Sequence, residues 1–273
     1  MSLGKIHEGF DFELPELECY RTLSRSGVHY QQGLFVAEGE KVVPRLLASE
    51  RVVVSLLVSS EWFDRLRGAI EARPEFIDVY LLDKAGVEKL TGRTCYQPIK
   101  AVAKVPPAKQ INDLPLDEGQ PVLLAAIDGL SNADNVGALV RNSVGLGATG
   151  LVVGETSSSP YLRRAVHASM GSVFSVPVVE VLSLESAVSE LRSRDVFCLA
   201  AHPAQSGTRL SELALPSKVC VVFGSEGYGI RESVLQQCDG AAGVPMSHGV
   251  DSLNVASSSA VFFYELQRQL GRV

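Results

Sequence analysis

The chain has 273 residues, 46% of them hydrophobic, and a net charge of −6. That apolar content suffices for one large core or two ordinary ones. The acidic balance argues against coating nucleic acid by bulk attraction, although an RNA enzyme needs only a local basic face.

No run of about 18 apolar residues predicts a membrane span, and Met1–Lys5 lack the apolar core of a secretory signal. The five cysteines, Cys19, Cys95, Cys198, Cys220 and Cys238, include no C-x-x-C pair, and the histidines lack ligand spacing. The expectation is a cytoplasmic protein with reduced thiols, no disulfide framework and no metal.

In chain order, Glu40–Leu47 reads as a helix, Arg51–Ser59 as a strand, Ser60–Glu71 as a helix and Ile77–Leu82 as a strand. This predicts a small α/β layer over residues 1–104. Residues 105–120 hold most of a Pro-rich stretch, Val105–Pro121, with four prolines and no aromatic residue, and read as a linker. Beyond it, Pro121–Ile127 is a buried-type strand, and Val136, Leu139, Val140 and Val144 fall at helical spacing. Leu151–Val153 and Val173–Val181 are further strands. Ser183 is a candidate N-cap for a helix with Leu184, Ala187, Val188 and Leu191 on one face. Val196–Ala201 and Lys218–Gly224 complete the strands, and Ser252–Leu270 a closing helix. Such alternation predicts a second α/β domain over 121–273, with a mainly parallel sheet covered on both faces.

Three familiar chemistries fail on context. Gly145–Gly150 fits G-x-G-x-x-G, but these glycines close a helix and lead into a strand, the reverse of a dinucleotide fingerprint. A helix C-cap is the expected role. Phe223 stands where a hydrolase elbow around Ser225 needs glycine. No P-loop motif occurs.

Three other blocks fit together. Asp128–Arg141 (DGLSNADNVGALVR) begins where a strand ends, with Asn132, Asp134 and Asn135 as cap-type residues and Arg141 two turns into the helix. Taken alone, it reads first as ordinary capping with a surface arginine, since such residues are common at helix starts. Val221–Ile230 (VVFGSEGYGI) runs a strand into three glycines around Glu226, either a ligand cradle or a tight turn. Val244–Asn254 (VPMSHGVDSLN) enters a helix rich in small residues, suited to close approach of a ligand or a second subunit, or to tight packing on its own sheet. Ligands of parallel sheets sit outside the carboxyl ends of strands.

In this order the blocks resemble the three motifs of the SpoU (TrmH-type) RNA ribose methyltransferases of the SPOUT superfamily: N-x-x-N-x-G-A-hydrophobic-hydrophobic-R, G-x-E-x-x-G, and I-P-M with S-L-N. The resemblance covers about residues 121–270. Phe35–Lys41 and Gln97–Ala103 more loosely resemble the family's small N-terminal RNA-binding domain. Departures are Arg141-Asn142-Ser143 for R-T-A, Ala133 for the usual proline, Leu146-Gly147 for F-G and Val244 for isoleucine; none removes a group the chemistry needs.

The resemblance implies a deep C-terminal trefoil knot, a rare exception to unknotted folds, and a homodimer with an active site shared across the interface. It implies S-adenosylmethionine held by Gly224, Val244, Met246, Ser252 and Leu253. Arg141, Asn135, Glu226, Ser252 and Asn254 are the implied catalytic set, and ribosomal or transfer RNA the substrate. Arg141 is expected to grip a phosphate and lower the hydroxyl pKa rather than act as a base, because a guanidinium stays charged. Asn132, Arg163 and Arg164 are candidate RNA contacts, with a solvated helix face the alternative for the arginine pair. The competing readings are a catalytically silent RNA-binding knot protein and a nicotinamide-linked oxidoreductase.

Overall fold

Apolar strands alternating with amphipathic helices build a five-stranded and a six-stranded sheet in a computed structural model that describes residues 3–116, 119–202 and 208–273. Met1 and Ser2, and Asp117 and Glu118 of the expected linker, lie outside the described residues. The chain divides into two units, 1–107 with 161–174, and 108–160 with 175–273.

The first unit contains β1 (Leu3–His7), α1 (Glu18–Arg21), α2 (Ser26–Gln31), β2 (Leu34–Glu38), α3 (Val42–Leu47), β3 (Val53–Val58), α4 (Ser60–Glu71), β4 (Ile77–Leu81), α5 (Lys84–Thr91) and β5 (Ile99–Lys104). Its sheet order is β1-β4-β3-β5-β2, with β5 antiparallel to both neighbours. Asp83 caps α5 by accepting from Gly86 N at 2.7 Å, which satisfies one of the orphan donors of a first turn. Leu17, Tyr20, Leu57, Tyr80 and Val102 pack one face. The buried Tyr20 hydroxyl finds Ser55 O at 3.1 Å and Ser55 Oγ at 2.9 Å, as burial of a phenol requires.

The second unit opens with β6 (Val122–Asp128), α6 (Ala133–Gly145) and β7 (Gly150–Val153). After α7 (Arg163–Ala168), which belongs to the first unit, come β8 (Val178–Glu180), α8 (Leu184–Arg192), β9 (Phe197–Ala201), β10 (Lys218–Gly224), α9 (Glu232–Leu235), β11 (Gly240–Ala242) and α10 (Val255–Gln269). The strand order is β11-β9-β10-β6-β7-β8 and every pairing is parallel. All seven residues of β6 are buried, the mark of a strand covered on both faces.

Three expectations change in detail. The Pro-rich stretch is more than a spacer, because Ile111 and Leu114 bury in the core of the second unit with Val122, Leu184 and Leu191. The strand expected over Val173–Val181 shrinks to β8, since Ser172–Ser175 forms a 3-10 turn. Segment 161–174 leaves the second unit for the first, where Phe35 packs on Tyr161 and Phe174 at 5.6 and 5.8 Å between ring centroids. Among the described residues no helix is long and apolar enough to cross a membrane.

The glycine string 145–150 ends α6. Gln267 Nε2 donates to Leu146 O at 2.8 Å, and a Cβ on Gly147, at φ +87°, would stand 1.9 Å from that nitrogen. The glycine is there for α10 to reach the end of α6.

Candidate functional site

The carboxyl ends of β9, β10 and β11 meet the first turns of α10 around a cavity of about 470 Å³, within the range of small-molecule sites. Its floor is apolar, with Phe223, Ile230, Val244 and Phe262; Phe223 and Phe262 meet edge to face at 5.8 Å. Most of the rest of its lining comes from segments 224–229 and 251–254, glycines and short polar residues with Tyr228 and Leu253. Such a lining suits a ligand with an apolar body and a few backbone contacts.

The loop after β10 is fixed from within. Ser225 and Gly229 exchange both backbone hydrogen bonds at 3.0 Å, folding Gly229 and Ile230 onto Gly224. A Cβ on Gly224 would lie 2.2 Å from Gly229 C. Residue 224 must therefore be glycine for its own loop, before any ligand is considered.

A charged network anchors the far end of that loop. Asp128, fully buried at the end of β6, accepts from Arg231 N and Arg231 Nε, both at 2.7 Å. Arg231 Nη1 donates to Glu155 at 2.5 Å. The hydrogen bond from Arg231 holds the Glu155 carboxyl below the usual carboxylate range. The same bond to Glu155, with the one to Asp128, raises the guanidinium. A buried carboxylate needs such pairing to remain charged.

The cavity brings together Gly224, Val244, Met246, Ser252 and Leu253, the five residues marked for the cofactor, with Glu226 and Asn254 of the catalytic set. Asn135 joins them from α6, where its Nδ2 donates to Glu226 Oε1 and its Oδ1 accepts from Asn254 Nδ2 at 3.4 Å. Asn254 also caps α10, accepting from Ala256 N at 2.9 Å. One carboxamide thus links all three sequence blocks.

The remaining candidates sit elsewhere. Arg141 is exposed, does not line the cavity and has no hydrogen bond or ion pair among the described residues. On α6 it lies about 9 Å along the axis from Asn135 and roughly 120° around it, so the two project from different faces of the helix. Asn132 serves as the N-cap of α6, accepting from Asp134 N at 2.9 Å. Arg163 lies in the first unit, its Nε on Leu23 O at 3.1 Å and its Nη1 on Glu38. Lys100 meets the same carboxylate at 2.8 Å, so the Arg163 guanidinium is engaged within its own unit. Arg164 is exposed on α7, also in the first unit.

Sequence reasoning passed over Asp128, Glu155 and Arg231. A carboxylate closing the apolar run PVLLAAID was the available signal, because a charge at the end of a fully buried strand needs a partner. Among the described residues no cluster of three His, Cys, Asp or Glu is placed to hold a metal.

The model of the SpoU rRNA Methylase family matches residues 122–264. An uncharacterized tRNA/rRNA methyltransferase of Mycobacterium bovis is 28% identical over 96% of this chain and 92% of its own length. The 23S rRNA (guanosine(2553)-2′-O)-methyltransferase of Bacillus subtilis is 28% identical over 85% of this chain and 88% of its own. The AdoMet-bound rRNA methyltransferase from Sinorhizobium meliloti superposes with a TM-score of 0.83 at 22% identity, covering 98% of this chain and 99% of that one.

Proposed function

The chain belongs to the SpoU rRNA methylase family, and on that premise we propose that it is an S-adenosylmethionine-dependent RNA ribose 2′-O-methyltransferase, its cofactor seated in the cavity at the ends of β9, β10 and β11. Ribosomal RNA is the substrate class, in keeping with what the relatives are named for, and the cytoplasm the compartment. The observation that carries the reading is the convergence of Gly224, Val244, Met246, Ser252 and Leu253 on one cavity beside the Asn135–Glu226–Asn254 chain. The reading extends to a trefoil knot in the chain that leads into α10.

The cofactor fits the lining. Phe223, Phe262 and Val244 offer an apolar bed, and the backbone of 224–229 and 251–254 offers polar groups at fixed positions. When bound, S-adenosylmethionine supplies a methyl group activated on a sulfonium. The chain's own residues must then align a ribose hydroxyl, and good alignment contributes up to roughly 7–11 kcal/mol in intramolecular cases. Asn135 and Asn254 orient the hydroxyl at the rim, and Glu226 keeps Asn135 turned toward them.

Arg141 does not line its own chain's cavity, and we propose that it completes the cavity of a second copy. The exposed Val261 and Tyr264 on α10 supply apolar surface for that homodimer. Across the interface the guanidinium would grip the substrate phosphate and favour loss of the hydroxyl proton.

Calorimetry and mixed-subunit assays test this reading. Arg141→Ala should bind S-adenosylmethionine within about twofold of wild type and lose at least about a hundredfold in transfer, the scale of removing one preorganised charged group. Refolding Arg141→Ala together with the cavity-filling variant Leu253→Arg should restore one active site per dimer. No recovery in the mixture, with both variants folded and dimeric, would refute the shared site.

A further inference from the structure

The loop after β10 carries an aromatic ring at the open edge of the cavity. Tyr228 is 98% exposed, and its side chain makes no hydrogen bond or ring contact among the described residues. A single exposed apolar side chain is ordinary; its rigid mounting is less so. Tyr228 N donates to Ser225 Oγ at 3.2 Å, Ser225 and Gly229 pair through their backbones on either side, and Arg231 ties the loop to buried Asp128. The backbone holds the ring out at the cavity mouth, two residues from Glu226.

The surroundings narrow what the ring can meet. Residues 224–230 contain no lysine or arginine and one acid, Glu226, so this loop offers no cation to an RNA phosphate. The ring's neighbours in the chain are glycines and an acid, without the clustered anchors of a protein interface. What remains is a flat, uncharged face. Bases in single-stranded or splayed RNA stack on such rings whatever their sequence, and tyrosine loses little conformational entropy in doing so.

Resting on the methyltransferase reading above, we infer that Tyr228 is a substrate-contact residue that stacks on an unpaired nucleobase at or next to the methylated nucleotide. It sets affinity for RNA and leaves the cofactor untouched.

The test compares wild type with Tyr228→Phe, Tyr228→Leu and Tyr228→Ala, using total ribosomal RNA from a strain deleted for the gene and tritiated-methyl S-adenosylmethionine. Loss of one stacking contact should raise the KM for RNA roughly tenfold in the Ala and Leu variants. The kcat at saturating RNA should hold, the signature of lost uniform binding. Phe should stay within about twofold, because the π-face remains. Calorimetry should give all four proteins the same affinity for the cofactor. A KM for Tyr228→Ala equal to that of an active wild type would overturn the inference alone. So would a Leu variant that matches Phe, or a fall in oligomeric mass of the Ala variant, which would seat the ring on a second copy. A wild type that moves no methyl to RNA would sink the methyltransferase reading first, and this inference with it.

Discussion

Arg231 carries more of the site than any residue the motifs single out. It pairs with Asp128 at the end of β6 and stands at the start of α9, tying down the loop that covers Gly224. Arg231→Ala would leave a fully buried carboxylate without its charged partner. Breaking a buried pair costs about 3–5 kcal/mol; with Arg231 itself part-exposed, about 3 kcal/mol in urea unfolding of the second unit is expected, together with weaker cofactor binding. Gly224→Ala should act on the loop more than on the fold. Its methyl must displace the backbone of Gly229 and Ile230, and calorimetry should show at least about a tenfold loss of cofactor affinity, equivalent to 1.4 kcal/mol. At this scale the sequence displayed the motif residues, because glycines, an acid and S-L-N stand at fixed spacing. It hid the Asp128–Arg231–Glu155 network, whose members lie up to 103 residues apart.

Among the elements, α6 and α10 are joined by side chains that departed from the family pattern. Asn142 stands where the family has threonine, and its Nδ2 donates to Ala256 O at 2.6 Å and Ser259 Oγ at 3.3 Å. Asn142→Ala should therefore lower stability by about 1 kcal/mol, the net worth of a typical hydrogen bond, since Ala256 O keeps Ser259 Oγ as a donor at 2.7 Å; the loss is readable as a shift in urea midpoint at constant m. Helices and buried strands were legible where period and length agreed: α4 and β10 run over Ser60–Glu71 and Lys218–Gly224, as their patterns predict. Short edge elements were not. β11 is only Gly240–Ala242 and has almost no side-chain pattern. Strand β8 was overestimated because Val173 and Phe174, apolar like a strand, are buried in the other unit.

Over the whole molecule, a pH-sensitive group sits in the core of the first unit. There, His29 is buried, with Nε2 on Thr22 Oγ1 at 2.8 Å and no partner for Nδ1. Burial, with Arg163 nearby, lowers its pKa below the ordinary value of 6.5. Folding thus favours the neutral ring. The unfolded chain binds the proton first, so the contribution is present above pH 6.5 and is lost as pH falls through and below that value. Trp62 is the chain's single tryptophan and lies in the first unit, so its fluorescence should report a falling urea midpoint between neutral pH and about pH 5, by at most about 1.4 kcal/mol per pH unit. His29→Gln should flatten that dependence.

The two-unit plan itself could be read from composition, since a Pro-rich stretch separates two α/β patterns. The crossing of 161–174 into the first unit could not, because Tyr161 and Phe174 find their partner in Phe35, more than a hundred positions earlier. In this reading the molecule places a methyl group on a ribose oxygen of RNA. Tritiated-methyl transfer to ribosomal RNA, followed by digestion to nucleosides and separation, tests it most directly. Label should appear in a 2′-O-methylnucleoside and disappear with Arg141→Ala. Label on a base, or undiminished labelling by the Arg141→Ala protein, would contradict it.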